Sequence, residues 1–195
     1  MFRLISRLYF RLAGWKLVGN FDDAPAKYIV VVMPHTANFD FFLGLMTRSQ
    51  LDIGESKFLG KSQLFKPPFG FLFRWLGGHP VDRTKDNNLV DAVVRIFNEH
   101  DEFAIALAPE GTRSKVERIK TGFYHIASKA KVAIIPVAFD YGQKEVVVGK
   151  PFYTTHSMAD DFRVLATFFE GKYGKYPDLG VGRAIIENSV TSVNN

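Results

Sequence analysis

The chain has no cysteine. That excludes disulfide staples, thiolate metal sites and a cysteine-linked acyl intermediate. A chain without disulfides also suits a reducing compartment. Long hydrophobic runs are missing too. The longest uncharged apolar stretch near the start, Tyr28 to Met33, falls far short of the ~20 residues that cross a bilayer. Arg3, Arg7 and Arg11 interrupt any signal-peptide core, and no small-residue cleavage site follows. No acid precedes Asp22, whereas Arg3, Arg7, Arg11 and Lys16 do. Repeats, low-complexity tracts and domain-dividing linkers are also lacking. Residues 1–195 therefore read as one domain, large enough to bury roughly two-thirds of its unfolded surface.

Phenylalanine is abundant, 19 of 195 residues. Either the core is aromatic or some apolar surface meets lipid. The net charge of +5 favours anionic partners such as nucleic acid, phosphorylated small molecules or acidic lipid headgroups. Charge alone does not choose among them.

Hydrophobic spacing predicts a helix over 2–18, with Phe2, Ile5, Tyr9 and Leu12 on one side and a stripe of Arg3, Arg7 and Arg11. Such a helix lies in a headgroup layer or packs on the domain with its basic face in water. The sequence leaves both open. Strands are predicted at Tyr28–Met33, Ser56–Gly60, His79–Val81, Phe103–Ala108, Val132–Asp140 and Glu145–Val148, the last two joined through Tyr141-Gly142. Helices are predicted over about 39–49, 86–100, 120–131 and 159–173, followed by a Gly/Pro-rich tail. Strands alternating with helices argue for an α/β domain, with its core over 28–150.

Two strands each end in proline followed by polar residues: Pro34-His35-Thr36-Ala37-Asn38-Phe39-Asp40 and Pro109-Glu110-Gly111-Thr112-Arg113-Ser114. Ligands of open α/β sheets collect beyond the carboxyl ends of strands. His35 can take a proton from a hydroxyl attacking a carbonyl. Asp40, on its other nitrogen, would fix the tautomer. Five residues of regular helix set two side chains about 140° apart. The chain must therefore turn between them, with Asp40 near a helix start. His156 and Asp161 repeat the spacing without phosphate-binding neighbours; they read as capping and surface. Gly111 lets backbone N–H groups approach an anion, Thr112 and Ser114 add hydroxyls, and Arg113 can grip a phosphate through two nitrogens. Arg83 follows another glycine-rich run, Gly77-Gly78, with Asp82 beside it.

Rival chemistries find less support. Gly60-Lys61-Ser62-Gln63-Leu64 lacks the final glycine of a serine elbow. A phosphate loop ending at Lys61-Ser62 needs glycine at 55, where Glu55 stands. A basic lipid- or nucleic-acid-binding module would use the charge without turnover.

Taken together these blocks resemble the glycerolipid acyltransferases of the lysophosphatidic acid acyltransferase type. The family's spaced histidine and aspartate match His35 and Asp40. Its glycine-and-arginine block matches Gly78 and Arg83. Its Pro-Glu-Gly-Thr-Arg-Ser block is residues 109–114 letter for letter, and its hydrophobic strand around proline matches Ile134-Ile135-Pro136-Val137. Lys120 and Gly122 match a lysine and glycine between the last two. His79, Pro80 and Ala108 depart from the pattern, and Asn38-Phe39 resembles a bacterial branch.

The resemblance implies a mixed central β-sheet flanked by helices. It also implies transfer of a fatty acyl group from acyl-CoA or acyl carrier protein to a lysophospholipid in phospholipid biosynthesis. His35 and Asp40 are then catalytic. Arg83, Glu110, Gly111, Thr112 and Arg113 bind the substrate phosphate, and Asn38, Lys61 and Lys120 support them. No metal, bound cofactor or nucleic acid is expected. The expected location is the cytoplasmic, inner face of the membrane, held peripherally. Phe69, Phe71, Leu72, Phe73, Trp75 and Leu76 form an acyl groove, a membrane-dipping helix or plain core.

Overall fold

The computed structural model of the chain describes residues 2–53, 56–68, 70–81 and 89–190. Its strands are β1 (Lys16–Val18), β2 (Lys27–Met33), β3 (Ser56–Lys61), β4 (Gly78–Val81), β5 (Phe103–Leu107), β6 (Ala133–Asp140) and β7 (Glu145–Val148). Its α-helices are α1 (Phe2–Ala13), α2 (Phe39–Leu51), α3 (Gly70–Trp75), α4 (Leu89–Glu99), α5 (Gly122–Ala130), α6 (Met158–Phe169) and α7 (Arg183–Asn188). The strands form one sheet in the order β1-β7-β6-β2-β5-β3-β4. β2 runs parallel to both β5 and β6, and β7 runs antiparallel to β6. The sheet is mixed, as the family resemblance implies.

Strand composition explains the layers. β2 and β6 are rich in valine and isoleucine and almost wholly buried, as strands covered on both faces must be. Alternation divides them. Ile29, Val31, Ile105 and Ile134 face α4, α5 and α6. Val30, Ala104, Ile135 and Val137 face α1 and α2. The connection from β2 to β3 moves one way along the sheet and that from β5 to β6 the other. Crossovers of one hand must then place α2 and α5 on opposite faces, as observed. Phe162, fully buried, stacks on Phe123 of α5; truncating it to alanine would cost about 3–5 kcal/mol.

The described residues correct three expectations. The helix predicted over 2–18 stops at Ala13, because Gly14 takes φ +75°, and Lys16–Val18 instead pair with Glu145–Val147. A left-handed glycine is a common helix stop. α6 ends at Phe169, not near Tyr173, and residues 170–176 turn back toward the sheet's carboxyl edge. The tail is not merely irregular: α7 buries Ile186, and Ser189 Oγ accepts from the Ile119 N–H at 2.8 Å. The helix predicted from 86 begins in the described chain at Leu89; residues 86–88 lie outside the described residues.

Candidate active site

Three neighbouring strand ends deliver the site. β2 lies between β5 and β6, so the loops after Met33, Leu107 and Asp140 meet at one edge. After β2 the chain turns through residues 34–38 before α2 starts at Phe39. That turn brings His35 back to Asp40. His35 Nδ1 stands 3.1 Å from Asp40 Oδ2, which also accepts from the Ala37 N–H at 2.8 Å. Asp40 is buried in the first turn of α2, where the helix dipole favours a negative charge. His35 Nε2 makes no hydrogen bond to any described residue.

Two further contacts fix the pair. The Tyr141 hydroxyl, just past β6, donates to Asp40 Oδ1 at 2.6 Å. The Trp15 ring stands edge-on to Tyr141, centroids 4.9 Å apart. On the other side the His35 backbone N–H donates to both Glu110 oxygens, at 2.8 and 3.1 Å. Glu110 is 4% exposed. Its carboxylate holds the histidine's backbone in place.

Electrostatics follow from these contacts. Burial pushes the Asp40 carboxyl up, but hydrogen bonds from His35, Tyr141 and Ala37 outweigh it and hold the acid below its ordinary value. Burial pushes Glu110 up to about 7, against the pull of His35 and with added push from Asp40. Burial and the bond to Asp40 raise the Tyr141 phenol above its usual range, so it stays a proton donor. Two carboxyl groups flank His35, and their environments separate them.

The loop after β5 places the remaining candidates unevenly. Gly111 has φ +68°, and a Cβ there would lie 2.5 Å from Lys120 Nζ. Lys120 therefore lies across the glycine. Lys120 also ties the loop, its N–H donating to the Pro109 carbonyl at 2.8 Å. Arg113 is exposed and lines the site. Thr112 instead turns its hydroxyl into its own loop, accepting from the Ser114 N–H at 3.2 Å. Asn38 is exposed and makes no side-chain cap for α2. Arg83 lies outside the described residues, and so does the side chain of Lys61.

A cavity of about 600 Å³ opens beside the pair. His35, Asp40, Gly111, Arg113 and Lys120 form its polar wall. Val30, Val32, Phe41, Gly44, Leu45 and Phe139 carry it inward between α2 and the sheet. Thr47, Arg48 and Lys57 also line it; a mostly apolar lining with a few polar groups is the usual form of a small-molecule site. Phe71, Leu72 and Trp75 line no part of it; they stand exposed on α3. Among the described residues no group of three or more His, Asp or Glu could hold a metal ion.

The decoy pair separates. Asp161 is buried, not superficial, and accepts from the Tyr124 hydroxyl at 2.8 Å and the Thr155 N–H at 2.7 Å. The capping at this helix start belongs to Ser157, whose side chain accepts from the Asp160 N–H. Sequence reasoning missed Tyr141, Thr36 and Lys175. Tyr141 had a usable signal, its place at the carboxyl end of a buried strand. Lys175 had none, because only the returning residues 170–176 bring it near.

Residues 18–140 match the Acyltransferase family. The 1-acyl-sn-glycerol-3-phosphate acyltransferase of Haemophilus influenzae is 34% identical over 144 residues, covering 69% of this chain and 58% of that protein. The Escherichia coli protein of the same name is 32% identical over 115 residues, covering 55% of this chain and 45% of its own. The chain thus spans about half the length of these relatives. The crystal structure of the 1-acyl-sn-glycerophosphate acyltransferase of Thermotoga maritima shares the fold, with a TM-score of 0.57 at 16% identity over 99% of this chain and 78% of that one. With most of its length matched, from β1 to the end of β6, this chain belongs to the Acyltransferase family.

Proposed function

We propose that this chain transfers a fatty acyl group from a thioester, acyl-CoA or acyl carrier protein, to the free hydroxyl of a lysophospholipid, foremost 1-acyl-glycerol-3-phosphate. One observation carries the reading: the His35–Asp40 pair, 3.1 Å apart, stands on the polar wall of an apolar cavity that Arg113 shares. His35 Nε2 takes the acceptor's hydroxyl proton as the oxygen attacks the thioester carbon. The carbon–sulfur bond then breaks, and the imidazolium returns the proton to the leaving thiolate. Asp40 stays ionised and holds the imidazole tautomer. Tyr141 and Glu110 hold Asp40 and the His35 backbone in place. Arg113, with Lys120 across Gly111, attracts the acceptor's phosphate. The apolar depth between α2 and the sheet suits an acyl chain.

Attachment to a membrane is part of the same proposal. No helix among the described residues is long and apolar enough to cross a bilayer. α1 runs antiparallel along α2, with Arg3 at Asp52 and Tyr9 against Phe39. It buries only Ser6 and Phe10. Leu4, Leu8 and Leu12 point outward, Leu12 at 77% exposure. Arg7 and Arg11 flank that stripe. A helix with outward leucines beside arginines fits a headgroup layer better than water. Phe71 and Trp75 of α3, 72% and 76% exposed, add apolar surface. The inner, cytoplasmic face is the proposed side.

The test is direct. Purified protein receives a labelled acyl thioester and a panel of lysolipids and glycerol phosphates, and products are read by mass. Diacyl-glycerol-3-phosphate is the expected product. Acylation of another lysolipid alone would move the acceptor. Free fatty acid alone, or lysolipid binding without product, would contradict the proposal.

A further inference from the structure

The residues after α6 close over the catalytic loop. The Tyr176 N–H donates to Thr36 Oγ1 at 3.1 Å. The Tyr141 N–H donates to the Tyr173 carbonyl at 2.8 Å, and the Tyr173 N–H to Asp140 Oδ1 at 3.3 Å. Gly174 is packed so tightly that a Cβ would lie 2.5 Å from Thr36 Oγ1 and 3.2 Å from Pro34 Cβ. This strap is thus pinned to the end of β6 and to the loop that carries His35. It belongs to the part of the chain beyond the family match, which ends at residue 140.

The strap delivers a cation. Lys175 lines a second groove, about 480 Å³, together with Asn38, Phe39, Phe42, Arg113 and Tyr176. Its ammonium stands 5.8 Å from the centre of the Phe39 ring. Arg113 lines this groove and the main cavity as well, so the two spaces adjoin at the site. Among the described residues neither Lys175 nor Arg113 forms an ion pair. Two cations converging on one groove without a carboxylate between them repel each other unless an anion joins them. Some other surface cations are neutralised, Lys129 by Asp91 and Arg183 by Glu170 and Glu187; what distinguishes Lys175 and Arg113 is that both line one groove.

We propose that Lys175 and Arg113 together hold a phosphoryl group of a substrate, Lys175 as a point charge and Arg113 as a planar fork. The proposal rests on the acyl-transfer reading for the identity of the substrates. The phosphoryl group has two sources: the acceptor's phosphate, or the phosphates of the thioester donor.

Lys175→Ala, Lys175→Arg and wild type are compared in steady-state kinetics. The acceptor arm pairs 1-acyl-glycerol-3-phosphate with phosphate-free monoacylglycerol. The donor arm pairs acyl-CoA with a phosphate-free acyl thioester. Lys175→Ala should raise KM for one phosphate-bearing substrate about tenfold, as loss of a charged hydrogen bond does. It should leave KM for the phosphate-free partner unchanged, and Lys175→Arg should recover most of the loss. The arm that responds names the source. Equal KM in Lys175→Ala and wild type, or equal increases for phosphate-bearing and phosphate-free substrates, would overturn the proposal. Titration with glycerol 3-phosphate and with inorganic phosphate, read by calorimetry, tests the groove without turnover. If wild type makes no acylated product but binds either anion more tightly than Lys175→Ala, the acyl-transfer reading fails and the anion site stands. If neither protein binds an anion and KM does not move, the site fails.

Discussion

Tyr141 donates its hydroxyl to Asp40 at 2.6 Å, a bond between residues 101 positions apart. It joins the end of β6 to the start of α2 and leaves the other Asp40 oxygen to His35 and Ala37. Removing only the hydroxyl, by Tyr141→Phe, keeps the ring against Trp15. Asp40 would lose one hydrogen bond to a charged group, worth about 1.5–3 kcal/mol. Part of that loss should fall on the positioning of His35. We expect kcat to drop about tenfold with KM for the acceptor little changed. Full kcat in Tyr141→Phe would remove the residue from the account.

Glu110 gives the stability curve a definite sign. Its carboxyl titrates near 7 in the fold because burial disfavours the charged form, against an ordinary value of 4.5. A raised carboxyl takes up protons on folding between those values. Its contribution is therefore full below the unfolded value and lost as pH climbs through about 7. The loss is at most about 3 kcal/mol. Glu110→Gln keeps an oxygen for the His35 N–H and cannot ionise. Between about pH 5 and pH 8, wild type should lose urea resistance relative to Glu110→Gln. Parallel curves for the two proteins would contradict the burial argument.

Much of this arrangement was legible in the chain. The apolar runs at Tyr28–Met33, Phe103–Ala108 and Val132–Asp140 became adjacent buried strands because they carry β-branched residues with nothing polar inside. The need for a turn between His35 and Asp40 followed from helical geometry alone. Contacts formed by return of the chain were not legible. Glu110 looked like part of an anion loop, yet its partner is a backbone N–H 75 positions away. Lys175 sat in a polar stretch without periodicity. α7 was hidden because its only fully buried apolar side chain is Ile186.

Gly111 should resist substitution for two reasons. Its φ of +68° costs any side chain about 1 kcal/mol, and a Cβ would strike the Lys120 ammonium. Gly111→Ala should lower stability by about 1–2 kcal/mol and also raise KM for a phosphate-bearing acceptor as Lys120 is displaced. Chemical denaturation and kinetics read the two effects separately. Unchanged stability would mean that the loop relaxes freely.

The outward face of α1 predicts a membrane phenotype without a folding phenotype. Leu8→Asp with Leu12→Asp removes two exposed leucines and adds charges that anionic headgroups repel. Sedimentation with anionic vesicles should show at least a tenfold loss of bound protein. Thermal stability should stay within about 1 kcal/mol of wild type, about 0.5 kcal/mol for each exposed substitution. Undiminished vesicle binding would assign attachment to another surface.

His35 carries the central claim, and turnover of His35→Ala is the measurement that bears on it most directly. With labelled acyl thioester and 1-acyl-glycerol-3-phosphate, the variant should fold as wild type does and lose at least about 100-fold in kcat. Turnover at the wild-type rate in a folded His35→Ala protein would contradict general-base catalysis at this site.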